Sequence, residues 1–593
     1  MDETTQKNIE FLSKHYPSLK NKVLSSESLY PYQFISSPRP NILFEEKPFH
    51  SKVDPEKEAL NLVKGLNVKK GYLFLFVGIG LGYHIEQFKR LYKEAQEATI
   101  IAIEKSSQAF TFLIQTRDIS FLRGIHLFVD EDEPIIESFF RHLDPLSFKG
   151  YRIIRLRGAF SIFQDYYTRL ETYFKSVLSG RLSDILTRFA FESLWMKNIV
   201  ENIPSLQGKM PLGALKNILR YKTALVVAAG PSLIEQLQMI KSASPNIYII
   251  AVDAALQPLL SSGILPDFIV SLDAQYFNLF HFHHIFTMEK WTPNSILIAD
   301  VVANPLVLKH WQGPLYFSST TSKAGHGGEK NPLVNLLMNY YGPIDSIECG
   351  GSVATTAIEV ALYLGAHPVL VTGLDLSYTY LTTHINSSAI HRYFYFKSNR
   401  FDTIHSAMGK TIQKRKLQYV MGVSGKRVLT DFVFANYLKW FEEKSDYFQR
   451  VFNVTATGAV IPHVTHQILK DYINKNRVLK EKKLPCAPLP VAKLSRDVCM
   501  KVLSDLTQEI CSAKNTLSCT IRTASNFDPI LSRYPILKNI LPLALSLYQN
   551  RDAAFSHVLM FLNMLEKKTE RSIRKLDFHH HSSFRTSNTP SFR

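Results

Sequence analysis

Thr223 to Leu233 reads TALVVAAGPSL, and the fold follows from how that stretch is taken. Its apolar run is too short for a helix and stops at Gly230-Pro231, so it reads as a buried strand, a tight turn and the start of a helix. The same unit recurs downstream: NIYIIAVDAAL (Asn246–Leu256), DFIVSLDAQ (Asp267–Gln275), SILIAD, LYFSST and HPVLVTGLDLS (His367–Ser377). GSVATTAIEVALYLG, from Gly351 to Gly365, is a helix between the last two strands. Strands alternating with helices predict an α/β core on a parallel sheet.

Outward from that core, GYLFLFVGIGLGYHIEQFKRL (Gly71–Leu91) followed by ATIIAIEKS (Ala98–Ser106) is a second strand–glycine turn–helix–strand unit, so an N-terminal Rossmann-like domain is expected. Residues 1–60 are polar and punctuated by Pro38, Pro40, Pro48 and Pro55. Asp165 to Pro211 is helical and rich in aromatics, and reads as two or more linking helices. After a proline-rich joint, LPCAPLPVAK, the chain turns helical again and ends in a polar tail holding His579, His580 and His581. The expected division is 1–160 (Rossmann-like), 161–217 (helical linker), 218–480 (catalytic core) and 481–593 (helical, with the tail).

Composition narrows the function. No apolar stretch approaches the roughly 18 residues a membrane span needs, and the start MDETTQKNIE carries acids where a signal peptide has bases, so a cytoplasmic protein is expected. Five cysteines without a C-x-x-C pair suggest neither a disulfide framework nor a zinc site. The net charge is +18, and residues 471–593, with 20 Lys+Arg against 10 Asp+Glu, supply +10 of it. Such a surface attracts nucleic acid, anionic lipid, acidic proteins and phosphorylated donors alike. No nucleic-acid module accompanies the charge, so nucleic acid is not the expected partner. The basic C-terminal helices and the aromatic Asp165–Pro211 segment are instead expected to dock a helical protein partner, the plainer alternative being that they only cover the core.

Four groups of residues are candidates for chemistry. Gly230, Pro231 and Ser232 form a small-residue turn that would bring backbone N–H groups to a phosphate. Asp253, Asp273 and Asp375 each follow a strand, where ligands of open α/β sheets bind, although each could equally cap a turn. Ser352 and Thr355 place hydroxyls at a helix start, for binding or for packing. The loop beyond Asp375 carries Tyr378, Tyr380, His384, His391 and Arg392, and His384 could take a proton from an acceptor hydroxyl. The N-terminal Gly78, Gly80 and Gly82 with Glu104 are like the opening of an S-adenosylmethionine methyltransferase, but no further motif of that class follows; a scaffold is the preferred reading.

The series AAGPSL, AVDAAL, SSGILPDFIVSLD, GGSVATTAIEVALYLGAHPVLVTGLDLSYT with TTH, and GKRVLTDFVFANYLKWFE resembles the motility-associated-factor (Maf) glycosyltransferases over about residues 218–465. Their core is similar to a 6-hydroxymethylpterin pyrophosphokinase of the MptE-like kind and to bacterial sialyltransferases. The resemblance implies transfer of a nonulosonic acid, of pseudaminic or legionaminic type, from a CMP donor to Ser/Thr of flagellin. It implies Gly230, Pro231 and Ser232 against the nucleotide phosphates, Asp253 and Asp273 along the nucleotide pocket, Ser352 and Thr355 at the cytidine end, and Gly373 and Asp375 at its floor. His384, the candidate base, and Asp375 are the expected catalytic residues. No metal or other cofactor is implied for the transfer, whereas the pyrophosphokinase alternative requires Mg²⁺. A non-catalytic flagellin-binding protein is the third reading.

Overall fold

The computed structural model describes residues 3–19, 32–35, 40–66, 68, 71–92, 98–143, 148, 150–287, 294–321, 331–444, 448–475, 482, 495–520, 527–538, 540–547 and 551–585, with the side chains of 180–190, 321, 519–520, 543, 546–547, 551 and 578–585 excepted. It divides into two compact units, Met1–Ile185 and Leu186–Arg593.

The first unit opens with a small antiparallel sheet of β1 (Tyr32–Ile35), β2 (Asn41–Phe44) and β3 (Lys47–Pro48). Four parallel strands follow: β4 (Tyr72–Val77), β5 (Thr99–Glu104), β6 (His126–Val129) and β7 (Gly150–Arg155), in spatial order β6-β5-β4-β7. The central pair, YLFLFV and TIIAIE, has no polar face because helices cover both sides of a parallel sheet. The α/β expectation for this region holds.

Between the sheets the chain forms one helix, Gln164–Asn202, of 39 residues. This corrects the expected pair of helices. The stretch holds no proline and a single glycine, Gly180, so nothing in it forces a stop; Pro204 does, inside the 3-10 turn Ile203–Leu206.

The second unit contains the main sheet. Its strands are β8 (Met210–Pro211), β9 (Ala224–Val227), β10 (Tyr248–Val252), β11 (Phe268–Ser271), β12 (Ile296–Asp300), β13 (Leu315–Thr321), β14 (Ser346–Glu348), β15 (Val369–Thr372), β18 (Val451–Asn453) and β19 (Thr465–His466). A hairpin of β16 (Leu417–Met421) and β17 (Arg427–Asp431) stands apart from it. The main order is β14-β13-β12-β11-β10-β9-β15-β18-β19, with β8 beside β13 and every pairing parallel. From β9 the chain winds outward to β14, then crosses back to lay β15 on the other side of β9, with Leu225 opposite Leu370 and Val226 opposite Val371. The reversal makes β9/β15 a topological switch point, and ligands of open α/β sheets bind beyond the carboxyl ends of such strands.

The helices Arg496–Thr520, Leu541–Leu547 and Arg551–Arg585 pack on one another, and Arg496–Thr520 also on the helix Pro332–Tyr341. Leu503, Leu506, Val558 and Leu562 share one buried core with Leu297 and Phe317 of β12 and β13. The last helix runs through the triple histidine, where a polar tail was expected, to Arg585; the side chains of His579–His581, and the joint LPCAPLPVAK, lie outside the described residues. Leu506, 1% exposed, tests the shared core: Leu506→Ala should destabilise the second unit by about 2–5 kcal/mol in urea unfolding. A loss below about 1 kcal/mol would mean the helices do not pack as a common core.

Candidate functional site

At the switch point, β9 and β15 end in two loops whose main chains touch. The N–H of Gly230 donates to the carbonyl of Gly373 at 2.7 Å. Asp375, buried, grips the opposite loop: its Oδ1 accepts from Ser232 Oγ at 2.6 Å and its Oδ2 from Ser232 N–H at 3.0 Å. Glycine is required on both sides. A Cβ on Gly230 would lie 2.3 Å from Asp375 Oδ1 and 2.4 Å from the Gly373 carbonyl oxygen, and Gly373 has φ +66° with the Ala228 carbonyl oxygen 2.4 Å from its own would-be Cβ. The sequence therefore brings Gly230, Pro231, Ser232, Gly373 and Asp375 together, but the turn differs from expectation. Pro231–Glu235 is a 3-10 turn, and the N–H groups of Gly230, Ser232 and Leu233 all donate within the protein. In this conformation the Gly230 and Ser232 amides are occupied by Gly373 and Asp375, so the open backbone cradle expected here is closed.

Burial pushes the Asp375 carboxyl up to about 6, against the pull of the Ser232 hydrogen bonds. Directly after it, three non-glycine residues adopt positive φ: Leu376 at 46°, Tyr380 at 55° and Leu381 at 54°. Left-handed backbone at non-glycine residues is costly and concentrates at functional sites. The loop is anchored by Thr430 Oγ1 donating to the Leu376 carbonyl and by Ile385 N–H donating to the carbonyl of Ala229, at the exit of β9.

That last bond places His384 beside the switch point. The residue is half-buried and its Nδ1 is sealed from solvent without a hydrogen-bond partner. Burial lowers its pKa to about 4, assisted by His281 and Arg415, so the ring is neutral at physiological pH and can accept a proton. His281, on the helix Leu279–Phe286, likewise has a buried Nδ1 without a partner.

Asp253 and Asp273 lie at the ends of β10 and β11. The buried Asp253 accepts from Ala254 N–H at 2.8 Å, Asn278 Nδ2 at 2.9 Å and Ser271 Oγ at 3.2 Å. Asn278 also reaches the Asp273 carbonyl at 3.3 Å, which ties the two strand ends together. Asp273 is only partly buried; burial raises its pKa while Gln275 N–H, at 2.9 Å, opposes the rise. Ser352 and Thr355 form the capping box of the helix Val353–Tyr363, each bonding the other's backbone. The helix they cap packs against β9–β11. Asp431 accepts from Tyr378 and Arg415, holding β17 to the loop.

Three residues that the sequence did not single out belong to this face: His281, Asn278 and Asp300. Asp300 ends SILIAD, the position equivalent to Asp253, and that was a usable signal. Burial raises its pKa to about 6 while Val302 N–H bonds it at 2.9 Å. His281 sits in LFHFHHIF, where aromatic neighbours conceal it. Among the described residues no set of three or more His, Cys, Asp or Glu is placed to hold a metal ion.

The first unit's glycine loop is closed by its own acid. The buried Glu104 accepts from the N–H groups of Ile79 at 2.7 Å, Gly80 at 2.8 Å and Ser106 at 3.0 Å, and His50 accepts from Leu81 N–H at 2.8 Å. The groups that would meet a nucleoside are occupied.

Residues 197–380 match the family described as 6-hydroxymethylpterin diphosphokinase MptE-like. Two relatives from Treponema pallidum (strain Nichols), both described as uncharacterized proteins, are 28% identical over 204 residues (31% of this chain, 50% of the relative) and 33% identical over 104 residues (18% and 48%). The chain spans about half the length of these curated relatives. A solved MAf glycosyltransferase from Magnetospirillum magneticum AMB-1 superposes over 99% of this chain and 98% of its own, with a TM-score of 0.55 and 13% identity. The chain thus carries an MptE-like domain. Over its whole length it has the fold of a Maf glycosyltransferase. The family match contains Asp375 and stops before His384.

The clamp predicts two outcomes. Asp375→Ala strands two buried donors at Ser232 and should cost about 1–3 kcal/mol for each in urea unfolding; Gly230→Ala, which drives a Cβ into backbone, should cost at least as much. Wild-type stability in either variant would dismiss the clamp. The pH response should split. His384, depressed from 6.5 to about 4, is protonated more readily in the unfolded chain, so stability is lost as pH falls below 6.5. Asp375, raised from 3.8 to about 6, takes up its proton in the folded chain first, so its protonation adds stability as pH falls through 6. In acid titrations followed by circular dichroism, His384→Gln should move the unfolding midpoint to lower pH. A midpoint unmoved or moved to higher pH would contradict the assignment.

Proposed function

We propose that this chain is a glycosyltransferase that moves a nonulosonic acid, of pseudaminic or legionaminic type, from its CMP donor to Ser/Thr hydroxyls of flagellin in the cytoplasm. The observation that carries the reading is the arrangement of side chains at the switch point. A clamped glycine turn and a strained loop set a neutral, sealed imidazole beside the strand ends, within a fold shared end to end with a glycosyltransferase. Nucleotides of open α/β folds bind at such a switch point.

In this account the donor phosphate lies over Gly230-Pro231-Ser232, with Gly373 and Asp375 as the floor. Asp253 and Asp273 line the nucleotide pocket, and Ser352 and Thr355 lie toward the cytidine. Asp375 acts by positioning: it holds Ser232 and the His384 loop in register. The acceptor oxygen attacks the anomeric carbon as the bond from that carbon to the phosphate oxygen breaks. The acceptor proton passes to the neutral imidazole of His384, and CMP departs with the bonding pair. Neutral imidazole is the form the reaction needs, and its depressed pKa keeps it in that form. The step requires no metal or other cofactor. The rival, diphosphate transfer from a nucleoside triphosphate to a pterin alcohol, needs Mg²⁺ held by carboxylates. Asp253 and Asp375 are each already bonded to backbone and side-chain donors, which favours the sugar transfer.

CMP and CTP should raise the melting temperature without Mg²⁺, and His384→Ala should keep that shift while transfer falls by about 10²–10⁴-fold. A shift only with GTP and Mg²⁺ would overturn the donor assignment in favour of the pterin reaction, and full transfer by His384→Ala would remove it as the base.

A further inference from the structure

Apart from the loop that carries Gly373, Asp375 and His384, the residues between β15 and the return helix Phe432–Glu442 form a surface the chemical step does not use. β15 and β18 are parallel, so the chain must come back before β18 begins, and that helix makes the return. Residues 376–431 therefore lie above the carboxyl ends of the strands, continuous with the switch point. Large apolar side chains stand out from them: Tyr395 is 65% exposed, Phe396 83%, Phe401 88% and Tyr419 60%. Leu417 and Met421 alternate with Tyr419 along β16, so one face of the hairpin is apolar and open. The apolar faces of the C-terminal helices lie in the core they share with β12 and β13, and among the described residues beyond Ile468 the one large apolar side chain in the open is Met560.

The same segment is strongly basic, with nine Lys and Arg against Asp402 and Asp431. Both acids are already paired, with Lys410 and Arg415. The other seven cations form no ion pair with a described residue. Several lie on the exposed rings: Lys397 over Tyr393 at 4.3 Å, Arg400 over Phe401 at 5.1 Å and Arg427 over Tyr419 at 5.8 Å. An amphipathic helix lying on a membrane separates its charged face from its apolar one. Here charge and aromatic surface coincide and are spread over a helix, a loop and a hairpin. Aromatic, Met and Arg side chains together are the composition of protein interfaces, and the unpaired positive charge selects a negative partner.

We propose that residues 376–431 are the docking surface for an acidic polypeptide segment that presents the acceptor hydroxyl to the switch point. This rests on the glycosyltransferase reading for the hydroxyl; the polypeptide contact is tested separately. The experiment measures binding of the full chain to a random glutamate–tyrosine copolymer by biolayer interferometry across a salt series. The variants are Tyr395→Ala/Phe396→Ala/Phe401→Ala and Lys397→Glu/Arg400→Glu, and the CMP melting shift of each protein is recorded alongside. The wild type should bind, with affinity falling steeply as salt rises, and each variant should bind about tenfold more weakly or worse. Both should retain the wild-type CMP shift, so that weaker binding cannot come from a damaged fold. No binding by the wild type, or equal binding by the variants, overturns the surface. Binding to phosphatidylglycerol vesicles instead of the copolymer, lost in the same variants, overturns the polypeptide in favour of a membrane. Absence of any CMP shift in the wild type would sink the donor assignment alone, since copolymer binding does not depend on it.

Discussion

One buried carboxylate sets the geometry of the core. Asp375, at the end of a strand the chain reaches only after winding five strands away, closes on the N–H and hydroxyl of Ser232, which follows the first strand of the sheet. The contact joins residues 143 positions apart in sequence. It explains the glycines at 230 and 373, since neither loop has space for a Cβ. It also explains the loop beyond: with Asp375 fixed from one side by Ser232 and from the other by Ala459 N–H on its carbonyl at 2.8 Å, the backbone is forced through positive φ at Leu376. A carboxylate desolvated to this degree stays charged at neutral pH because two donors face it.

The first unit uses the same device to a different end. Glu104 closes on Ile79 and Gly80 as Asp375 closes on Ser232. There the acid sits one strand away from its glycine turn, and His50 takes the Leu81 N–H, so the N–H groups of that turn are used within the protein. In the second unit the closure falls at the topological switch point between β9 and β15, where ligands of open α/β sheets bind. A glycine turn followed by a strand-end acid therefore has two outcomes in one chain, decided by topology.

The sheet was legible because its strands are apolar on both faces: ALVV, YIIAV, FIVS and VLVT are wholly buried, and only a covered parallel sheet accounts for such runs. The grouping of Gly230–Ser232 with Gly373 and Asp375 was legible through resemblance. The state of their donors was not, because which N–H groups are free depends on a partner more than a hundred residues away. Ser352 and Thr355 carried a local signal that was read only as binding or packing; the hydroxyls cap their own helix. His281 was hidden because a histidine among phenylalanines on a helix looks like core, and only the neighbouring strand ends show its nitrogen unpaired. The linking helix was misjudged because its apolar pattern is weak, although the absence of proline was visible. The basic C-terminus looked like a contact surface, yet charge alone does not reveal that the apolar face beneath it is already covered.

The central claim is that the site beside the Asp375 clamp transfers a sugar from a cytidine nucleotide to a protein hydroxyl. Intact-mass spectrometry of unmodified flagellin incubated with this chain and a CMP-activated nonulosonic acid reads that event directly. The account requires flagellin to gain whole sugar residues, with one CMP released for each. Flagellin of unchanged mass in the presence of intact donor, with diphosphate transferred to 6-hydroxymethylpterin when a nucleoside triphosphate and Mg²⁺ are supplied, would contradict it.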